Sequence, residues 1–154
     1  MHIATNSEII DISLEVKTAE LAKNFSEIIK KGDIILFHGE IGVGKTTFIR
    51  HLINNLQKNN HLKLTEITSP TFNLVNEYDV GIFTIHHYDL YRLTSGSEIK
   101  NIGLLENPKE TLTLIEWPEK MDNKIDLFFE YRENMSKRFL LIKGISDEKF
   151  NEIR

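Results

Sequence analysis

The sequence predicts an α/β fold in which a central β-sheet carries antiparallel strand additions. Three observations predict it. Short apolar runs that suit buried central strands occur at residues 34–37 and 112–115. Stretches with apolar residues at helical spacing lie on both sides of the first run. Residues 73–88 and 125–145 each contain two β-rich segments around a turn, and this mixture is typical of an α/β core with antiparallel strands added to it.

The size and composition are those of an ordinary globular protein. A chain of 154 residues can bury roughly two thirds of its unfolded surface, and no linker or repeat divides it, so we expect a single domain spanning residues 1–154. No apolar run approaches the ~20 residues needed to cross a bilayer, and residues 1–11 are acidic and polar, unlike a signal peptide. We therefore expect a cytoplasmic protein that does not associate with membranes.

Cysteine content and charge restrict the chemistry. The chain has no cysteine, which excludes disulfides, thiolate catalysis and zinc sites built on sulfur. Its net charge is −4, whereas a protein that binds nucleic acid by itself needs a surplus of Lys and Arg, at least locally, to neutralise phosphates. If RNA is involved, we expect a partner protein to hold it.

The first half of the chain predicts a helix, a strand, a loop and a second helix. Thr18 can cap the first helix, which ends near Lys30-Lys31-Gly32. The strand at 34–37 follows, and after a glycine-rich loop a second apolar stripe fades at Asn59 and Asn60. The apolar residues of the two helices are Leu21, Phe25, Ile28 and Ile29, then Phe48, Ile49, Leu52, Ile53 and Leu56.

The second half of the chain consists mainly of predicted strands. The elements are, in order, strands 73–80 and 82–88 joined tightly at Gly81, a short helix within 96–106, the strand 112–115 that ends at Glu116, and strands 125–132 and 138–145 around the polar turn 133–137.

Residues 39–46 carry the strongest chemical motif. They read Gly39-Glu40-Ile41-Gly42-Val43-Gly44-Lys45-Thr46 and match the Walker A pattern G-x-x-x-x-G-K-[ST] at every fixed position. In such a loop the glycines let backbone N–H groups converge on phosphates, and the following helix adds partial positive charge. Lys45 would reach the β- and γ-phosphates, and the Thr46 hydroxyl would ligate Mg²⁺. The alternative, a glycine-rich turn with an incidental lysine, is disfavoured by the strand before the motif and the helix after it.

This motif makes the predicted fold more specific, namely a P-loop NTPase-like three-layer core. Such a site also needs an acid for the magnesium shell, usually at the end of a neighbouring apolar strand. Glu116 has that position, and the alternative is a surface glutamate at a strand end. Asp89 is a second candidate because strand alternation places Ile85, His87 and Asp89 on one face. The two adjacent histidines should point to opposite faces, so a transition-metal cluster is the weaker interpretation.

Residues 123–126 match the N-K-x-D pattern associated with guanine recognition in GTPases. Such a motif should close an apolar strand, whereas these residues open one. No Asp-x-x-Gly follows the strand at 112–115 to act as a γ-phosphate sensor. We therefore interpret the match as a chance one and expect ATP rather than GTP.

Four motifs occur in an order that is more specific than the Walker A pattern alone. They are Phe37-His38 together with the Walker A residues through Phe48, then Ser69-Pro70-Thr71-Phe72, then His87-Tyr88-Asp89-Leu90-Tyr91-Arg92-Leu93, and then Glu116-Trp117-Pro118-Glu119. Over residues 18–145 the chain resembles the TsaE family, small bacterial ATPases needed to make N6-threonylcarbamoyladenosine (t6A) on tRNA. Glu40 and Val43 stand where that family usually has Asp and Ala, and neither departure removes a fixed Walker A position.

The resemblance implies a role for each matched residue. Thr46 and Glu116 would hold Mg²⁺, Ser69-Pro70-Thr71 would form a switch-like segment near the γ-phosphate, and Asp89 would be required for hydrolysis or its coupling. The implied nucleotide-binding residues are Ile41, Gly42, Val43, Gly44, Lys45, Thr46, Thr47 and Arg138, and the implied catalytic residues are Lys45, Asp89 and Glu116.

Two of the matched residues have alternative interpretations. By the resemblance, Trp117 would belong to the functional surface, but a tryptophan also packs well in any core. Arg138 matches a basic position near the family's C-terminal hairpin and would contact nucleotide, and the alternative is a solvated strand end.

The resemblance also implies partners. TsaE would dock on the TsaD and TsaB proteins and hydrolyse ATP, while the chemistry on adenosine would belong to TsaD and tRNA would be contacted only indirectly. A P-loop small-molecule kinase is the alternative function. Such kinases generally place arginine-rich lids over the phosphates, and the arginines here are few and scattered. A nucleotide-gated adaptor, in which the binding state matters instead of turnover, is a third possibility.

Overall fold

The computed structural model describes residues 9–70, 73–91, 109–117 and 125–154. Within these ranges the chain forms one mixed seven-stranded sheet and three helices. The elements are β1 (Ile10–Asp11), α1 (Glu15–Ser26), β2 (Ile34–His38), α2 (Lys45–Asn59), β3 (Val75–Asp79), β4 (Thr84–Asp89), β5 (Thr111–Glu116), β6 (Ile125–Arg132), β7 (Lys137–Lys143) and α3 (Asp147–Ile153). The predicted α/β fold is confirmed.

The centre of the sheet is parallel and its two margins are antiparallel. The strand order is β1-β7-β6-β2-β5-β4-β3. β2 pairs in parallel with β5 and β6, and β5 pairs in parallel with β4. β3 is antiparallel to β4, and β7 is antiparallel to β6 and β1. The carboxyl ends of β2, β4, β5 and β6 therefore lie at the same edge of the sheet, which is where parallel sheets place their ligands.

The central strand β2 is covered on both faces, which explains its uninterrupted apolar sequence. Ile35 and Phe37 belong to the main core, to which α1, α2 and α3 also contribute. Ile34 and Leu36 pack with Ile115 in a second apolar cluster on the opposite face. Apolar packing on both faces of the sheet agrees with the predicted three-layer arrangement.

Aromatic packing fixes the start of α2 against the sheet. Phe48, in the first turn of α2, is fully buried, and the centroids of the Phe25, Phe37 and Phe129 rings each lie 5.9 Å from its own. Aromatic pairs of this kind contribute about 0.5–1.5 kcal/mol beyond the burial of their area. Because α1, β2 and β6 all hold this ring, the loop that leads into α2 is anchored at its carboxyl end.

The first helix begins earlier than predicted. α1 starts at Glu15, and Thr18 lies inside it, so the prediction that Thr18 caps the helix is wrong. Thr18 is buried, and its hydroxyl donates to the carbonyl of Ile12 at 3.5 Å. The hydroxyl is thus satisfied by the segment before the helix, an arrangement that the local pattern of apolar residues does not reveal.

The β3–β4 hairpin is confirmed, but its connection is longer than one glycine. Residues 80–83 join the strands, with the N–H of Val80 donating to the carbonyl of Phe83 at 3.1 Å. Gly81 lies inside this turn at a φ of +91°. The glycine therefore supplies the left-handed conformation that the turn needs.

Other differences concern the ends of the chain. β7 covers Lys137–Lys143 instead of the predicted 138–145. β1 and α3 were not predicted, because β1 has two residues placed by pairing with β7, and α3 buries only Phe150 and Ile153. The predicted short helix within 96–106 lies outside the described residues.

In the part of the chain that is described, no helix combines the length and the apolar character that a membrane crossing requires.

Candidate functional site

The glycine-rich loop runs from the carboxyl end of β2 to the first turn of α2. Gly39, Gly42 and Gly44 have φ values of +143°, +81° and +118°, which L side chains rarely adopt. Gly44 is the N-cap of α2 and has no side chain with which to cap it. The first amides of α2 therefore direct their partial positive charge into the loop, as an anion-binding helix terminus does.

Tight packing beneath the loop accounts for its first glycine. A Cβ at Gly39 would lie 2.7 Å from the backbone oxygen of Phe129 and 2.9 Å from Cγ1 of Val43. Val43 itself is fully buried in the main core. Val43 is one of the residues predicted to bind nucleotide. Because its side chain lies in the core, only its backbone would contact a phosphate.

A cavity of about 500 Å³ opens beside the loop. It is lined by Ile41, Gly42, Gly44, Lys45, Thr46, Thr47, Ser69, Asp89, Tyr91, Glu116, Trp117 and Arg138. Every predicted site residue except Val43 lines it. The strand order explains the convergence: Asp89 ends β4, Glu116 ends β5, and these two residues are direct partners in the parallel register.

Glu116 connects the first turn of α2 to the sheet. Its Oε1 accepts a hydrogen bond from the Thr46 hydroxyl at 3.2 Å, and its Oε2 lies 2.7 Å from Nε2 of His87. Glu116 is only 3% exposed. A hydroxyl and a carboxylate are the hard oxygen ligands that Mg²⁺ prefers, so this pair fits the predicted magnesium site chemically.

The two adjacent histidines of β4 point to opposite faces, as predicted. His86 Nε2 lies 3.6 Å from the carboxylate of Glu77, whereas His87 is fully buried against Glu116. Within the described ranges, no group of three or more His, Asp and Glu side chains is arranged to hold a metal ion.

Lys45 is held at the wall of the cavity. Its Nζ donates to the carbonyl of Gly39 at 2.5 Å and lies 3.5 Å from the centroid of the Trp117 ring. Burial lowers the pKa of Lys45, and the nearby carboxylates of Glu116 and Asp89 act in the opposite direction. The ammonium is therefore buried between the loop backbone and an aromatic face, with two acids nearby that favour its charged form.

Asp89 ties two neighbouring segments to the end of β4. Its Oδ2 accepts from the hydroxyl of Ser69 at 3.0 Å, and its Oδ1 accepts from the backbone N–H of Tyr91 at 3.0 Å. Ser69 belongs to the predicted switch-like segment, of which Thr71 lies outside the described residues. Asp89 thus links that segment directly to the wall of the cavity.

Trp117 both packs and lines the cavity. It has a φ of +57°, and its ring centroid lies 4.8 Å from that of Tyr91. The ring also packs against the second apolar cluster, which includes Ile34 and Ile115. Core packing and the formation of the cavity wall, which the sequence presented as alternatives, are therefore combined in one side chain.

Tyr131 is a neighbour of the loop that the sequence did not single out. Its hydroxyl oxygen would lie 3.4 Å from a Cβ at Gly42, and the guanidinium carbon of Arg138 lies 5.6 Å from its ring centroid. β6 runs parallel to β2, so the carboxyl end of β6 must lie beside the loop. An aromatic residue near the end of the predicted strand 125–132 was the signal that could have found it.

The N-K-x-D match opens a strand, as the sequence indicated. β6 begins at Ile125, and the Asp126 carboxylate lies 2.7 Å from Nε2 of His38. Asn123 and Lys124 lie outside the described residues.

A glycine-rich loop between a central parallel strand and a helix, with an acid at the end of the adjacent strand, defines a P-loop-like α/β fold. The family model described as "Threonylcarbamoyl adenosine biosynthesis protein TsaE" matches residues 12–139. The chain belongs to the TsaE family, as its four ordered motifs predicted.

Known relatives agree with this assignment. Proteins named "tRNA threonylcarbamoyladenosine biosynthesis protein TsaE" from Rickettsia felis and Rickettsia bellii are each 46% identical, over 68% and 74% of this chain. The matches cover 59% of the R. felis protein, which is less than two thirds of its length, and 76% of the R. bellii protein. The Borreliella burgdorferi protein of the same name is 35% identical over 72% of this chain and 78% of its own.

The fold also occurs among solved structures. The crystal structure of YdiB from Bacillus subtilis is similar with a TM-score of 0.67, covering 99% of this chain and 94% of that chain. The sequences are 19% identical, so the likeness concerns the fold alone.

Proposed function

We propose that this protein is a Mg²⁺-dependent ATPase that serves the t6A modification of tRNA by acting through TsaD and TsaB. The observation that carries the proposal is the convergence of the glycine-rich loop, Lys45, Thr46 and Glu116 on one cavity. The names of the relatives, which refer to threonylcarbamoyladenosine biosynthesis on tRNA, support the pathway.

Residues 41–47 would bind the phosphates of ATP or ADP. Their backbone amides and the N-terminus of α2 attract anions, and the buried ammonium of Lys45 adds a full charge next to the loop. Arg138 and the ring of Tyr131 lie on the β6–β7 side of the loop, where a guanidinium and an aromatic face suit the remainder of a nucleotide.

Thr46 and Glu116 would hold Mg²⁺. Few protein ligands are needed, because Mg²⁺ at such sites takes its other ligands from water and the phosphates. Bound there, the ion would neutralise charge that develops on the phosphates. Among the described residues that line the cavity, Asp89 is the second acid, and it would orient the attacking water or accept its proton. Its hydrogen bond to Ser69 would couple that step to the switch-like segment.

The protein alone should hydrolyse ATP slowly. Among the described residues that line the cavity, Arg138 supplies the only guanidinium, so transition-state charge would be incompletely neutralised. Docking on TsaD and TsaB would complete the site. Because the net charge of the chain is −4, contact with tRNA would be made through those partners.

The test is to measure nucleotide binding and turnover with and without Mg²⁺ and with and without TsaD and TsaB. We expect ATP to bind, GTP not to be preferred, turnover to rise when the partners are added, and inorganic phosphate to be the product. Glu116→Gln and Asp89→Asn keep side-chain shape and remove charge, so both should fold and lose turnover. Glu110→Gln is the matched control, since Glu110 is an exposed acid next to the opposite end of β5.

Three outcomes would contradict the proposal. One is wild-type turnover in both the Glu116 and the Asp89 variants. The second is the absence of ATP binding. The third is fast turnover in isolation, with no complex in either nucleotide state and a phosphorylated small molecule as product, which would establish the kinase alternative.

A further inference from the structure

His87 is a buried histidine whose position is not explained by phosphate binding. It lies on β4 and is fully buried, and its Nε2 lies 2.7 Å from Oε2 of Glu116. Its other ring nitrogen, Nδ1, is buried and has no hydrogen-bond partner among the described residues. Buried polar atoms are nearly always paired, so an apolar side chain would suit this position better if it served packing alone.

The bond to Glu116 has a defined direction. A carboxylate can only accept hydrogen bonds, so in the tautomer that pairs with the Glu116 carboxylate the hydrogen lies on Nε2, which donates it. In that tautomer Nδ1 carries no hydrogen and can only accept a hydrogen bond. The ring therefore has no buried N–H group without a partner. His87 thus acts toward Glu116 as a fixed N–H donor on a rigid strand.

This donor holds one oxygen of the carboxylate and leaves the other to the cavity. Oε2 of Glu116 is occupied by His87, and Oε1 lies beside the Thr46 hydroxyl at 3.2 Å. A glutamate side chain rotates about several bonds, so a single contact would not fix the plane of its carboxylate. With both oxygens engaged, Oε1 is kept next to Thr46, where the metal would be bound.

We propose that His87 is a positioning residue that fixes the Glu116 carboxylate so that Oε1 and the Thr46 hydroxyl bind a divalent cation together. The inference rests on the proposed Mg²⁺ role of Thr46 and Glu116. His87 does not line the cavity, so it would act through Glu116 and would not itself contact the ion or the nucleotide. Groups that orient metal ligands typically change metal affinity by about 10–100-fold when they are removed.

The experiment separates metal binding from nucleotide binding in the full-length protein. Mn²⁺ serves as the probe, titrated by electron paramagnetic resonance into protein saturated with ADP, and ADP affinity is measured separately in EDTA. His87→Phe keeps a ring and removes the donor, whereas His87→Gln restores an N–H group at the distance of Nε2. His86→Gln is the matched control, because His86 is the adjacent residue on the opposite face.

We expect His87→Phe to weaken Mn²⁺ binding about tenfold or more and to leave metal-free ADP affinity within about twofold. His87→Gln should recover most of the Mn²⁺ affinity, and His86→Gln should match the wild type. If thermal denaturation shows no folded state for His87→Phe, His87→Asn takes its place, because the asparagine amide is too short to reach Oε2 of Glu116.

Several results would overturn the inference. Unchanged Mn²⁺ affinity in His87→Phe would do so, as would an equal loss of Mn²⁺ and metal-free ADP binding, which would indicate a purely structural role. Failure of His87→Gln to restore Mn²⁺ binding would also contradict it. A wild-type protein that binds ADP but no Mn²⁺ would refute the proposed function together with this inference, whereas the other results refute this inference alone.

Discussion

The first glycine of the loop allows a quantitative test of the site's architecture. In Gly39→Ala, the new Cβ would lie 2.7 Å from the Phe129 carbonyl oxygen and 2.9 Å from Cγ1 of Val43. The first contact is with strand backbone, which cannot move without disturbing the pairing of β6. The φ of +143° adds strain of its own for an L side chain.

The expected loss of stability is the sum of these two effects. Holding a non-glycine residue at such a φ costs about 1–3 kcal/mol. Overpacking a filled site costs about another 1–3 kcal/mol. We therefore expect Gly39→Ala to lower the free energy of unfolding by about 2–6 kcal/mol, a large part of the roughly 5–15 kcal/mol typical of a domain.

Gly44→Ala is the matched control. Gly44 has a comparable φ of +118°, but a Cβ there would meet no heavy atom of the described chain within 4 Å beyond its sequence neighbours. It should lose only the strain, about 1–3 kcal/mol. The gain that alanine brings by restricting the unfolded chain is common to both variants and cancels in their difference.

Urea unfolding followed by far-ultraviolet circular dichroism gives both free energies. We expect Gly39→Ala to unfold at a lower urea concentration than Gly44→Ala, with an unchanged slope. Equal losses for the two variants would show that the contact with Phe129 does not determine the choice of glycine at this position.

Four further predictions follow from other contacts. Lys45→Ala should weaken ATP binding measured by calorimetry by several kcal/mol at most, because the backbone contacts of the loop remain, and unchanged binding would refute the role of the lysine. The ammonium of Lys45 lies against the ring of Trp117, the single tryptophan of the chain, so the tryptophan fluorescence should change when Mg²⁺ and ATP are added. A fluorescence that does not change with nucleotide and is the same in Lys45→Ala would contradict that contact. Phe48→Ala should reduce the free energy of unfolding by about 3–5 kcal/mol, since three aromatic rings lose their partner, and a loss below 1 kcal/mol in urea unfolding would contradict the packing described. Hydrogen bonds from Ser13 lower the pKa of Asp11, so the ionised carboxylate stabilises the fold above the ordinary pKa of 3.8, and this stabilisation is lost as the pH falls through the lowered pKa. Ser13→Ala should raise the pKa of Asp11 in an NMR titration, and an unchanged pKa would refute the assignment.

The parts of the fold that the sequence predicted are those whose signal is local. β2 and β5 are apolar runs because both of their faces are covered, and α2 carries a complete apolar stripe. β1 has no such signal, since its place depends on pairing with a strand more than a hundred residues away in the sequence. The start of α1 was misplaced for a related reason, because the hydroxyl of Thr18 is satisfied by the carbonyl of Ile12, a contact that depends on how the chain enters the helix.

The same distinction explains which site residues were predictable. Lys45, Thr46, Asp89 and Glu116 each follow a predicted strand or begin a predicted helix, so the sequence could place them at one edge of the sheet. It also placed His87 and Asp89 on one face, but it could not state what His87 meets there. That contact depends on β5 lying next to β4 in parallel, with Asp89 directly opposite Glu116. In this register, His87 is two residues before the partner of Glu116, a diagonal position that only long side chains can bridge. Glutamate and histidine are long enough, so once β4 and β5 pair in this register, His87 can determine the orientation of the Glu116 carboxylate.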